Sequence, residues 1–121
     1  MKGYAVTYTV CEHRVTMDVF TTKQFADQVV SDIMSKPSDT RRAWLENPRI
    51  KEVEIPSIIS TTEEGTEDTP IGPVAYRETL IAAQDQYQAE ETFLRFFNDH
   101  QYSSISGTGE ENSLLYTVIS D

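Results

Sequence analysis

Cys11, Glu12 and His13 place a thiol, a carboxylate and an imidazole within one short polar break of the sequence. Residues two apart in an extended chain share a face, so Cys11 and His13 could both meet a metal ion. Holding one takes three or four ligands. Cys11 is the only cysteine and His100 the only other histidine, so no second cluster supplies the rest. A solvated turn is the simpler reading. The single cysteine also excludes an intramolecular disulfide. His100 follows a helical pattern, where an imidazole complements the carbonyl end of a helix.

Nucleophilic chemistry has no better footing. The chain holds no Gly-x-Ser-x-Gly elbow and no Ser-x-x-Lys pair. Gly107-Thr108-Gly109 lacks a following helix and a Lys-Ser/Thr, and reads as a hairpin loop rather than a phosphate cradle. Glu63-Glu64, Glu90-Glu91 and Glu110-Glu111 are adjacent carboxylates, but general acid work needs one of them desolvated. Only Glu90 qualifies, because it falls in line with apolar positions. A helix edge touching solvent explains it more simply. No enzyme, no metal and no cofactor is expected.

The charge is more informative. The 121 residues carry 20 Asp and Glu against 10 Lys and Arg, a formal net charge of −10. Residues 1–60 hold 8 acids and 8 bases; residues 61–121 hold 12 acids and only Arg77 and Arg95. A nucleic-acid binder working through a general basic surface is excluded, since phosphate contacts need concentrated Lys and Arg. A surface this acidic is also repelled by anionic lipid headgroups.

The elements follow from periodicity. Tyr4, Val6, Tyr8 and Val10 alternate, as do Val15, Met17 and Val19, and the break between them reads as a β-hairpin. Thr21 and Thr22 are candidate caps, Thr21 with Gln24 fitting a capping box, for a helix carrying Phe25, Val29 and Ile33 and stopped at Lys36-Pro37. A short second helix runs from Ser38 or Asp39 to Glu46 and ends at Asn47-Pro48. Residues 49–60 are extended, bent at Pro56. Residues 61–73 form an acidic, mobile loop, which in a compact domain is often functional. The spacing of Tyr76, Leu80, Ala83, Tyr87, Leu94 and Phe97 predicts one long helix over 74–99. Two strands, 101–106 and 113–120, close the chain around a turn at Gly107–Asn112.

The order β-β-α-(α)-β-α-β-β implies an α+β fold: an antiparallel sheet of four to five strands with two main helices on one face. At 121 residues the chain is expected to be a single compact domain, and 38% apolar residues suffice for its core. No apolar run reaches membrane-spanning length and the start shows no leader pattern, so a cytoplasmic location is expected.

On that long helix Glu78, Asp85 and Asp99 would form one row, with Thr92 completing it and Gln84, Gln88, Glu91 and Arg95 beside it. Glu63, Glu64, Glu67 and Asp68 precede it, and Glu110 and Glu111 lie in the later hairpin. Rows of carboxylates imitate nucleic-acid phosphates and would compete for a basic groove. Phe93 and Phe96 lie off the apolar stripe, Phe96 flanking the acids as an apolar anchor.

In size, acidity and lack of a catalytic constellation, the chain is similar to the small inhibitors that mobile elements encode against host defence, such as anti-CRISPR and antirestriction proteins. That likeness implies a non-enzymatic inhibitor, encoded by a phage or mobile element, that occupies a basic nucleic-acid-binding protein without binding nucleic acid or membrane itself. A second reading is an immunity or accessory protein contacting its partner through the hairpin and Arg41-Arg42-Trp44. A third is a small hydrolase or transferase using Glu90 or Cys11 with His13.

Overall fold

The computed structural model describes residues 1–36, 45–61, 65–108 and 111–121. It is α+β, and its contacts divide it into two compact units, Met1–Glu54 and Ile55–Asp121.

The first unit holds β1 (Lys2–Val10), β2 (His13–Phe20), α1 (Lys23–Met34) and β3 (Glu46–Glu54), with sheet order β2-β1-β3. Both neighbours run antiparallel to β1 and therefore parallel to each other. Parallel strands need a crossover, and α1 makes it. Its cap is Thr22, whose hydroxyl accepts from Phe25 N–H at 3.2 Å. Phe25 stands where a capping box needs Glu or Gln, so the Thr21–Gln24 expectation misses by one residue. Val6, Tyr8, Phe20, Ala26 and Leu45 form the core, with Phe25, Val29 and Ile33 packed against it. The expected second helix falls mainly on residues 37–44, outside the described residues. Its last residue, Glu46, already belongs to β3. On the strand side, Arg14 of β2 reaches across β1. It donates to Thr7 Oγ1 at 3.1 Å, Thr9 Oγ1 at 3.0 Å and the Asn47 carbonyl at 2.5 Å, tying three strands together.

The second unit holds β4 (Ser57–Thr61), β5 (Gly65–Thr69), β6 (Gly72–Ala82), α2 (Gln86–Phe96), β7 (Tyr102–Gly107) and β8 (Leu115–Ser120). The sheet order is β4-β6-β8-β7, with β5 also paired to β6. Here β6 and β7 flank β8 antiparallel and α2 crosses between them, the same arrangement as in the first unit. Ile81, Ala83, Ala89, Phe93 and Val118 form the core. Phe93 stacks on Phe97 and meets Tyr102 edge-on.

The eight strands among the described residues exceed the four to five expected, and two corrections account for most of the difference. Residues 61–73 are not one loop, because β5 and the start of β6 lie within them. Their hairpin turns through Pro70 and Ile71, with Gly72 at φ +113° supplying a backbone state that side chains rarely adopt. Residues 74–82 are strand, not helix. A spacing of four, as from Tyr76 to Leu80, satisfies a period of 3.6 and a period of 2 alike. The buried pair Thr79 and Ile81 reveals the period of 2.

Two stabilising changes are expected. The β1–β2 turn places Cys11 and Glu12 at φ +49° and +70° between paired Val10 and His13. Such turns favour Asn-Gly, so Cys11→Asn with Glu12→Gly should raise stability by about 1–2 kcal/mol in denaturant melts. Thr79 Oγ1 is buried with no hydrogen-bond partner among the described residues. Thr79→Val removes that unpaired hydroxyl and should add about 1 kcal/mol.

Candidate protein-binding surface

The boundary between the units is also a boundary in charge. Residues 1–54 carry 8 acids and 8 bases, so the whole −10 resides on residues 55–121. Within that unit the acids are spread by the topology. Asp68 is exposed on β5, in the hairpin that continues past the end of β8. Glu78 lies on β6, on the sheet face opposite α2, paired with Ile119. Asp85 is the N-cap of α2 and accepts from Gln88 N–H at 2.7 Å, while Gln88 Oε1 accepts from Gln84 N–H at 2.7 Å. Asp99 is exposed beyond the other end of α2, and Glu111 is exposed in the β7–β8 turn. Glu63, Glu64 and Glu110 lie outside the described residues, as does the side chain of Glu67.

The expected helical row of Glu78, Asp85 and Asp99 therefore does not exist. Glu78 belongs to a strand, and the two aspartates sit beyond opposite ends of an 11-residue helix, about 16 Å apart or more. The register pairs Ala82 with Leu115 and joins Ala83 N–H to the Leu114 carbonyl at 2.9 Å. Asp85 and the turn holding Glu111 thus share one end of the sheet. Asp68, Asp99 and Asp121 belong to the other.

Helix α2 brings acids and exposed apolar side chains together. Its buried side is Ala89, Thr92 and Phe93. Tyr87, Glu91 and Leu94, at i, i+4 and i+7, fall on the opposite side. Tyr87 is 69% exposed and Leu94 45%, so neither joins the core stripe expected of them. Phe96 is 63% exposed near the helix end, as an anchor requires, whereas Phe93 is fully buried. Tyr87 and Leu94 are the surface residues that sequence reasoning missed. The signal for the helix start was Asp85-x-x-Gln88, a cap signature inside the supposed helix.

Glu90 and Glu91 each engage a tyrosine. Half-buried Glu90 accepts from the Tyr102 hydroxyl, and a hydrogen bond to Glu91 holds Tyr87. These bonds, reinforced by burial and by the neighbouring negative charge, raise both phenols above their ordinary value.

The remaining candidates sit apart. Cys11 and His13 are exposed at the hairpin turn of the first unit, and no group of three metal-ligating side chains occurs among the described residues. His100 closes a small network: its Nε2 faces Arg77 Nη1 at 3.3 Å and its Nδ1 faces the Asp121 main-chain oxygen at 3.0 Å. Arginine only donates, so Nε2 accepts and Nδ1 carries the proton. His100 thus ties β6 to the end of β8 instead of capping helical carbonyls. A cavity of about 280 Å³, lined by Val74, Tyr76, Gln101, Ile119 and Asp121 among others, lies beside that network. Arg41, Arg42 and Trp44 lie outside the described residues. No helix among the described residues is long and apolar enough to cross a membrane.

Comparison with family models, with curated proteins and with solved structures gave no match to this chain.

The tyrosine bonds predict a pH effect with a definite sign. A phenol raised in the folded state contributes stability that is complete below the unfolded value near 10 and is lost as pH rises through the folded value. Glu90→Gln should therefore move the Tyr102 ionisation, followed by ultraviolet difference absorbance, back toward 10, and lower that of Tyr87, which is raised chiefly by Glu91, by much less.

Proposed function

We propose that the chain is a non-enzymatic binding protein whose second unit docks a basic partner protein, with acids supplying attraction and exposed α2 side chains supplying anchors. One observation carries the reading: the full −10 is confined to one compact unit, and the other unit is neutral. A charge present only for solubility has no reason to avoid half of the chain. Tyr87, Leu94 and Phe96 add apolar contact area, which is where binding energy concentrates, while the acids set the association rate and partner choice.

The finer version makes the partner a nucleic-acid-binding defence protein and this chain its inhibitor, encoded by a phage or mobile element. Its support is the concentration of charge. The ruler-like carboxylate row that suggested phosphate mimicry has lost its helix, so the mimicry would be one of field rather than spacing.

A partner captured from cells carrying the gene provides the test. Asp68→Lys, Glu91→Lys and Asp99→Lys together should weaken the complex at least about tenfold and flatten its salt dependence. Tyr87→Ala with Phe96→Ala should weaken it comparably with the salt dependence retained. The inhibitor version further requires that the chain displace nucleic acid from the partner. Unchanged affinity in both variants would contradict the reading.

A further inference from the structure

From Gln101 to Thr108 the chain has no charged side chain, inside a unit of 12 acids and 2 bases. That stretch contains β7, which among the described residues pairs only with β8. Its outer edge therefore presents main-chain donors and acceptors with no ladder partner, and such an edge is a template for another strand. Ser103, Ser104, Ser106 and Gly107 are exposed. A single register shift, between Tyr102 and Ser104, leaves Ser104–Gly107 in regular pairing.

The other outer strands of this sheet are less suited. Glu67 and Asp68 place two acids on the five-residue β5. Strand β4 follows Pro56, and a register shift between Ile58 and Ser60 divides its five residues. Edges are commonly protected by charge, proline or a bulge. Over Ser104–Gly107, β7 has none of these.

Acids nevertheless surround it. Exposed Asp99 precedes β7, and Asp121 pairs with Gln101 through both its main chain and its side chain. Glu90 is bonded to Tyr102, and exposed Glu111 follows in the turn. An uncharged strand edge inside a negative field selects for a strand of opposite charge.

We propose that β7 takes up an extended, Lys/Arg-bearing segment of a partner protein as an added strand. This rests on the reading that the second unit binds a basic partner, and it names the means. Main-chain bonds to β7 supply affinity, and alternate side chains of the segment supply specificity. A second copy suits the edge poorly, because joining two β7 strands would bring together two units of −10 each.

The test uses the full chain and a ten-residue peptide of alternating lysine and valine. A second peptide of the same sequence is N-methylated across its six central residues, which blocks strand pairing and keeps the charge. The unmodified peptide is expected to shift the amide resonances of residues 101–108 and to bind at least about tenfold more tightly than its methylated form. Equal binding of the two, or shifts that avoid residues 101–108, would overturn strand addition and leave the acidic-surface reading standing. No binding by either peptide at low salt would overturn both. Concentration-dependent shifts of residues 101–108 without peptide would make a second copy the occupant and overturn the basic-segment proposal.

Discussion

Two strands that flank a third and run parallel to each other cannot be joined by a tight turn. The chain must cross the sheet, and the helix that crosses covers one face. Both units of this protein obey that constraint, α1 joining β2 to β3 over β1 and α2 joining β6 to β7 over β8. The first unit makes its central strand first and the second makes it last. In the second unit the crossover decides the core, by bringing Phe93 over Ile81 and Val118. It also decides the surface. The helix must begin beyond the end of β6 and finish before β7, which sends Asp85 and Asp99 to opposite ends of the sheet.

How much of this was legible in the sequence depends on which period a segment shows. The β1–β2 hairpin was readable because Tyr4, Val6, Tyr8 and Val10 alternate without ambiguity. Helix α1 was readable from Phe25, Val29 and Ile33, with its cap displaced by one residue. Residues 74–82 were not, because Tyr76 and Leu80 suit both periods and Ala83 and Tyr87 extend the helical one. The evidence for a strand was there in Val74, Thr79 and Ile81, all β-branched, and in Gly72-Pro73 before them. Once those residues are strand, the acidic row built on them dissolves. Of the candidate surface, the charge asymmetry and the exposure of Phe96 were legible, and that of Tyr87 and Leu94 was not. The sequence also marked Glu90 as unusual among the carboxylates; its bond to the Tyr102 hydroxyl is a reason no spacing rule contains, because the partner lies 12 residues away on β7.

The spread of the acids changes the electrostatic argument. At physiological ionic strength exposed charges more than about 8 Å apart are largely screened from one another. Carboxylates beyond opposite ends of α2 are separated by roughly twice that, so they act as separate local patches at contact distance. At low salt their fields merge, and the second unit acts as one anion toward any cationic molecule that approaches it. Under the proposed function, such a surface would attract at a distance and select locally on contact. The uncharged edge of β7 and the exposed Tyr87 and Leu94 of α2 are where selection would take place.

The proposed function makes the second unit the binding unit and the first its scaffold. Amide-resolved NMR of the full chain, titrated with a captured partner, tests that division of roles. Perturbations should concentrate in residues 55–121, strongest on α2 and β7, and fade as salt is raised. Perturbations concentrated in residues 1–54 and indifferent to salt would place the binding surface on the first unit instead.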